Sequence, residues 1–174
     1  MIKKFIPTFH ANNIYEISLS FFQKNKIKIL LLDLDNTLDS YKQKEPSERA
    51  YALINELKSH NIRPIIISNN TGGRVERYAK LLSIEFIARV GKPFKKRLLN
   101  ALKEKNINID DCLVVGDQLV TDILAGNRAK IKTLLTEKLV KEDQFTTHFN
   151  RLFDKPIRAR LKKCGKLNNW KNNL

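Results

Sequence analysis

Four short apolar runs punctuate the chain, at Ile27–Leu32, Pro64–Ile67, Cys112–Val115 and Ile131–Leu135, and each ends in a polar cluster. They are continuous rather than alternating, which is the pattern of strands covered on both faces in a parallel sheet. A shorter fifth run, Ile84–Ala88, lies between the second and the third. Between the runs the period becomes helical, over Ser47–Ser59, Arg74–Leu82, Pro93–Lys105 and Thr121–Arg128. Leu53 and Leu57, then Leu98, Leu99 and Leu102, recur at helix spacing with charges on the other faces. Alternating strands and helices predict an α/β fold, a three-layer doubly wound parallel sheet. Ligands of such sheets lie beyond the carboxyl ends of the strands. The polar clusters are therefore where chemistry is to be sought.

The flanks read differently. Residues 1–26 are expected to form an N-terminal extension packed on the core, with a helix-like stretch at Ile14–Phe22, and residues 27–150 to form the core itself. Residues 151–174 read as a basic helix and tail, with eight Lys or Arg against one Asp. Pro156 is expected at the first helical position and Gly165 just past the end. Phe153, Ile157, Leu161 and Cys164 would then share one face, and Asn168–Leu174 would fray.

Composition narrows the class. The 174 residues suit one domain, or one domain with an appendage, and 42% hydrophobic residues suffice for a proper core. No stretch approaches the ~20 apolar residues of a membrane-spanning helix, and Ile29–Leu32 is too short for a signal-peptide core. Cys112 and Cys164 have neither disulfide-scaffold nor zinc spacing. With 33 Lys+Arg against 18 Asp+Glu the formal net charge is +15, which makes an anionic partner, nucleic acid or an anionic membrane surface, worth weighing. The expectation is a cytoplasmic protein, with peripheral contact at a membrane surface as the variant.

The first polar cluster is Asp33-Leu34-Asp35-Asn36-Thr37-Leu38. Carboxylates at i and i+2 on extended backbone point the same way, and in a dry site they repel until a cation or a proton neutralises one. One Asp can attack an electrophilic phosphorus while the other passes a proton to and from the leaving oxygen. Turn residues after a strand explain the same letters without chemistry. Asp-x-Asp-Asn-Thr directly after a buried strand is much stronger than a bare pair of Asp.

At this point the chain resembles the haloacid dehalogenase (HAD) superfamily, whose first motif is a hydrophobic strand followed by Asp-x-Asp-x-Thr or Val. The other three motifs follow in order: Ser68-Asn69-Asn70 after the second strand, Gly91-Lys92-Pro93, and the acidic cluster Gly116-Asp117-Gln118-Leu119-Val120-Thr121-Asp122. More narrowly, the four segments look like the YqeG-type group of subfamily IIIA, related to phosphatidylglycerophosphate phosphatases, over roughly residues 5–165. Gly72-Gly73 departs from the pattern by loosening the entry to the following helix.

The resemblance implies a HAD-type Rossmann-like core and a Mg²⁺-dependent phosphomonoesterase with Asp33, Asp35 and Lys92 as catalytic residues. Asp33 would be the nucleophile and Asp35 the acid and base. Thr37, Ser68, Asn69 and Lys92 would hold the phosphoryl oxygens, with Pro93 in the first helical turn placing Lys92 at the positive end of the helix dipole. Mg²⁺ would be held by Asp33, Asp117 and the main-chain carbonyl of Asp35, with Asp122 a ligand itself or next to one.

The spacing leaves no room for a cap. About thirty residues separate Thr37 from Ser68 and about twenty separate Asn70 from Lys92, enough for one helix, and for one helix with a short strand. A capless site is open, so a large substrate, or a second subunit in an oligomer, would complete it. That favours a phosphate on a lipid headgroup, a protein or a nucleic acid end over a free sugar phosphate, and the resemblance implies phosphatidylglycerophosphate as the best single substrate. Two alternatives stand beside it: a nucleic-acid- or ribosome-associated module on the same scaffold, and a phosphatase of nucleic acid ends or phosphoproteins.

Overall fold

The computed structural model describes residues 2–70, 73–140 and 148–174. Six strands form one sheet: β1 (Phe9–Ala11), β2 (Ile29–Leu32), β3 (Arg63–Ile67), β4 (Glu85–Ile87), β5 (Cys112–Gly116) and β6 (Lys132–Thr136). Their order is β1-β6-β5-β2-β3-β4, and every neighbouring pair is parallel. The central strand β2 pairs in register with β5 on one side and β3 on the other, Leu32 lying opposite both Val115 and Ile66. The carboxyl ends of three strands thus open at one level.

Six α-helices are described: α1 (Leu19–Lys24), α2 (Glu48–Ser59), α3 (Gly73–Leu81), α4 (Lys95–Glu104), α5 (Leu124–Ala129) and α6 (His148–Lys163). Side chains alternate across the sheet as the pleat requires. Leu30, Leu32, Ile66, Leu113 and Val115 pack with Phe21, Leu53, Leu57 and Tyr78 on the α1–α2–α3 face. Leu31, Ile65, Ile67 and Val114 pack with Leu98, Leu102 and Ala129 on the α4–α5 face. Burial on both faces is why these strands read as continuous apolar runs, and the result is the three-layer α/β sandwich. Between Thr37 and Ser68 the only α-helix is α2, and between Ser68 and Lys92 the described residues hold α3 and β4. No cap domain is inserted among the described residues.

Several local expectations change. Phe9–Ala11 is an edge strand, with Phe9 opposite Leu134; three residues are too few to show a period. Ile14–Phe22 is a 3₁₀ turn (Ile14–Glu16) followed by α1. Pro93 precedes its helix rather than starting it, because Phe94 is the N-cap of α4. The helix after β5 is entered through a π-type turn, Leu119–Ile123. Pro156 lies inside α6, since contacts of Asp154 and Arg158 hold the turns on either side of it. On α6, Leu161 is buried with Leu119, Ile123 and Leu135, Ile157 is half-buried and Phe153 is exposed, as is Cys164 just beyond the helix. The side chain buried in place of Phe153 is Asp154.

Gly165 stands just past α6 with φ +61°, as expected. Asn168–Leu174 does not fray. His10 N donates to Asn168 O at 2.7 Å, and Trp170 is buried edge-on against Phe21, ring centroids 5.7 Å apart. Of the Gly72-Gly73 pair, Gly73 opens α3 and Gly72 lies outside the described residues, as do residues 141–147 of the expected core span.

Candidate active site

Asp33 follows β2 directly, and its amide continues the ladder by donating to Val115 O at 2.9 Å. The chain then turns sharply through Asn36, whose φ is +65°, and Leu38 N and Asp39 N return to Leu34 O. An Asn tolerates that left-handed geometry better than most residues. Lys92 reaches Asp33 from across β3. Its Nζ donates to Asp33 Oδ1 at 2.6 Å, to Asp122 Oδ1 at 2.7 Å and to Ile67 O at 3.4 Å, with only 3% of the side chain exposed. Asn69 sets its backbone: Lys92 N donates to Asn69 Oδ1 at 2.7 Å, and Asn69 Nδ2 donates to Lys92 O at 2.8 Å.

Carboxylate oxygens of Asp33, Asp117 and Asp122 lie within 4.8 Å of one another. Lys92 pairs with two of these three carboxylates. Burial pushes the Asp33 carboxyl up, Lys92 pulls it down, and Asp122, Asp117 and Asp35 push it up again, leaving it well above its usual range. Burial would lower Lys92, but Asp122 and Asp33 more than reverse that, and its ammonium is held above the usual lysine range. The clustered hard oxygen donors fit a divalent cation.

Asp122 arrives there through the π-type turn. Asp122 N and Ile123 N both donate to Gln118 O, at 3.0 and 3.2 Å, and Asp122 Oδ2 accepts from Gln118 N at 3.1 Å. Such turns add a residue to a helix and re-aim its side chains. The Asp122 side chain folds over Gly116, where any Cβ would overlap Asp122 Cβ and Cγ. Gly116→Ala is accordingly expected to displace Asp122 and weaken divalent-cation affinity about 10–100-fold, the scale for disturbing a site's supporting groups. Calorimetric Mg²⁺ titration beside a circular dichroism spectrum checks this, and an unchanged affinity would refute it.

The remaining expected residues line the same edge. Ser68 is buried, and its Oγ accepts from Asn70 N at 3.1 Å. Thr37 is buried with no hydrogen-bond partner for Oγ1 among the described residues, as a hydroxyl reserved for a ligand oxygen would be. The Asp35 carboxylate is not one of the three clustered ones. It pairs with Arg74 Nη1 and receives Asn70 Nδ2 at 3.4 Å. Arg74 also donates to Ser40 O at 3.1 Å and to Gln43 O, strapping the loop after Thr37 onto Asp35. The loop is anchored again at buried Asp39, which accepts from Ser47 N at 2.9 Å and from the Tyr78 hydroxyl.

Sequence reasoning missed Arg74, and it missed two residues of α6. Arg158 Nη2 donates to Asp117 O at 2.6 Å, and Asp154 Oδ1 accepts from Val120 N at 3.0 Å. Among 33 Lys+Arg no spacing marks two arginines as special.

Comparison with known proteins agrees with this architecture. The family model "haloacid dehalogenase-like hydrolase" matches residues 18–130. The protein named "Probable phosphatase YqeG" of Bacillus subtilis (strain 168) is 36% identical over 166 residues, covering 95% of this chain and 96% of that one. Among solved structures, the cobalt-bound deoxy-D-mannose-octulosonate 8-phosphate phosphatase of Haemophilus influenzae superposes with a TM-score of 0.50 at 15% identity, over 79% of this chain and 90% of that one. The 3-deoxy-D-manno-octulosonate 8-phosphate phosphatase of Yersinia pestis gives a TM-score of 0.50 at 15% identity, over 74% and 83%. At such identity the two structures speak for the fold alone. With more than half its length matched by the family model and nearly all of it by a relative of this identity, the chain belongs to the haloacid dehalogenase-like hydrolase family.

Proposed function

We propose that this chain is a phosphoric monoester hydrolase that works through an aspartyl-phosphate on Asp33 and takes its phosphate from a lipid headgroup. The observation that carries the reaction class is the buried Asp33–Lys92–Asp122 pair of contacts with Asp117 beside it. A carboxylate at the end of the central strand faces an ammonium that can also hold a phosphoryl group, and the relative at 36% identity bears a phosphatase name.

In the first step an Asp33 carboxylate oxygen attacks phosphorus, the P–O ester bond breaks, and Asp35 gives its proton to the leaving alkoxide. In the second, Asp35 takes a proton from the attacking water, the Asp33–phosphorus bond breaks, and inorganic phosphate leaves with Asp33 restored. Thr37 Oγ1, Ser68 Oγ and Lys92 Nζ hold phosphoryl oxygens, and Asn69 supports them by fixing the main chain of Lys92. Arg74 holds the Asp35 carboxylate to one side of the nucleophile. Mg²⁺ bound by Asp33, Asp117 and the carbonyl of Asp35, with Asp122 alongside, would offset the charge that gathers between nucleophile and phosphate.

Two features support a large, anionic substrate. Among the described residues no cap covers the site, and a cleft of about 560 Å³ opens beside Asp117, lined also by Glu137, Lys138, Leu139, Val140, Asp154, Lys155 and Arg158. Leu139 and Val140 offer apolar contact to an acyl-bearing leaving group, and Lys138 and Lys155 stand among the acids of the wall as cations for its negative charge; phosphatidylglycerophosphate has that chemistry. The exposed cations Lys155, Arg160, Lys162 and Lys163 of α6 would meet an anionic membrane surface, at about 1 kcal/mol for each charge near it. Arg158 is not one of them, because it is engaged at Asp117. No helix of the described residues is long and apolar enough to cross a membrane.

The test is a phosphate-release screen with Mg²⁺ over vesicle-embedded phosphatidylglycerophosphate, nucleic acid 3′-phosphates, phosphopeptides and sugar phosphates. The expected result is preferred turnover of the vesicle substrate. That turnover should fall when Arg160, Lys162 and Lys163 become Glu, while p-nitrophenyl phosphate hydrolysis survives. The net charge of +15 favours a second reading, a nucleic-acid-associated module. RNA binding with no turnover of any substrate in the screen would replace the first reading with it.

A further inference from the structure

The last helix is joined to the acid cluster by more than apolar packing. Arg158, five residues before the end of α6, donates from Nη2 to the main-chain carbonyl of Asp117 at 2.6 Å and extends toward Thr136 O at 3.4 Å. Glu137 Oε1 at 2.9 Å and Asp154 Oδ2 at 3.8 Å flank its guanidinium. Asp154, one turn earlier, is buried, and its other oxygen accepts Val120 N at 3.0 Å. Leu161, one turn later, is buried against Leu119, Ile123 and Leu135. Three successive turns of one helix thus grip the peptide from Asp117 to Ile123, the segment that carries two of the three clustered carboxylates.

The free ends of that segment explain the need. A π-type turn leaves amides and carbonyls at its mouth that the helix cannot satisfy itself. Val120 N is one such amide, Asp117 O just past the end of β5 is a second main-chain group beside it, and both are answered by α6. The charge of Asp154 is offset by its ion pair with Arg158. Both contacts go to main-chain atoms of the segment, so these side chains are placed to fix a backbone.

We propose that Asp154 and Arg158 are positioning residues for the divalent-cation site: α6 braces the Asp117–Asp122 segment so that Asp117 and Asp122 meet Asp33. The proposal rests on the reading above that these carboxylates hold a divalent cation. It makes the basic C-terminal helix a part of the active site rather than an attachment to it, and it separates two sets of charges on one helix. Arg158 faces inward to the loop, whereas Arg160 and Lys162 are exposed.

The experiment is calorimetric titration of the full chain with Mg²⁺, and separately with Mn²⁺, without substrate, for wild type, Arg158→Gln, Arg158→Lys, Asp154→Asn and the exposed double variant Arg160→Gln/Lys162→Gln. The sign of the Arg158→Gln effect is decisive. Deleting a cation near a cation site should tighten binding if only electrostatics is at work. Loss of the brace should weaken it about 10–100-fold, with Arg158→Lys in between and the double variant close to wild type. Turnover of p-nitrophenyl phosphate by Arg158→Gln should recover in large part at saturating Mg²⁺, as a fault in metal affinity rather than in chemistry. Should Arg158→Gln fail to fold by circular dichroism in EDTA, Arg158→Lys and the isosteric Asp154→Asn decide by the same criterion. Mg²⁺ affinity equal to or tighter than wild type in the folded Arg158 variants overturns the brace. A wild type that binds neither metal overturns the cation reading itself, and that failure is visible before any variant is compared.

Discussion

Asp33→Asn is expected to bring turnover down to background, by about 10⁴-fold or more, and yet to melt at a higher temperature than wild type when both are metal-free at neutral pH. The two effects share one cause. A carboxamide cannot form the acyl phosphate, and it also removes one of the carboxylates that crowd a buried site. Burial and the neighbouring acids outweigh Lys92 at Asp33, so its carboxyl sits well above the usual range. Between the ordinary carboxylate range and that raised value the native chain binds more protons than the unfolded one. Wild-type stability therefore rises as pH falls through this window, and is lowest above it. The Asn variant does not titrate there, so its advantage should shrink as pH falls. Each kcal/mol of repulsion relieved corresponds to about 2–4 °C in melting temperature for a chain of this size. Melting curves in EDTA across a pH series, beside phosphate release with Mg²⁺, check both halves. A variant that melts lower than wild type at neutral pH would show that Lys92 dominates Asp33.

The sheet was legible where physics is local. Ile29–Leu32, Ile65–Ile67 and Cys112–Val115 are buried from both sides, and that burial leaves a continuous apolar run as its trace. The four polar clusters follow from the same geometry, since each stands where a parallel strand ends. Elements defined by distant partners were not legible. Phe9–Ala11 becomes a strand only because β6 offers an open edge more than a hundred residues away in sequence. Trp170 reads as one aromatic in a polar tail, but its ring is edge-on to Phe21 and its Nε1 donates to Glu16 at 3.3 Å. Arg74 and Arg158 act through carbonyls and carboxylates brought close by the fold, and the sequence surrounds them with chemically identical neighbours. Pro156 misled for a different reason. Its local cost in a helix interior, about 3 kcal/mol, is a good start signal only when nothing tertiary opposes it. Here Asp154 and Arg158 bind the same loop from both sides of the proline.

Lys92→Met is expected to damage stability and catalysis together, in contrast with Asp33→Asn. The ammonium is the counter-charge to both Asp33 and Asp122, and a thioether of similar length fills its place without a charge. Breaking a buried pair while leaving its partner ionised costs about 3–5 kcal/mol, and here two carboxylates are left. The two acids raise the Lys92 pKa above its ordinary value. Its contribution in wild type is therefore fully present at every pH below the ordinary lysine range, and is lost only as pH rises through the higher folded value. From neutral to mildly acidic pH the size of the defect is thus governed by the acids alone. It should be greatest at neutral pH and should narrow as pH falls and Asp33 takes up its proton. Mg²⁺ should raise the melting temperature of the variant more than that of wild type, because a cation among the same carboxylates replaces part of the missing charge. It should not restore turnover, which loses the donor to a phosphoryl oxygen and falls by about 10²–10³-fold even at saturating metal. Thermal melts with and without Mg²⁺, paired with p-nitrophenyl phosphate turnover over a metal series, separate the two roles. Wild-type melting of the variant in EDTA at neutral pH would mean that the cluster keeps its charge balance without Lys92, and the assignment of Asp33, Asp122 and Lys92 as one interdependent unit would fall with it.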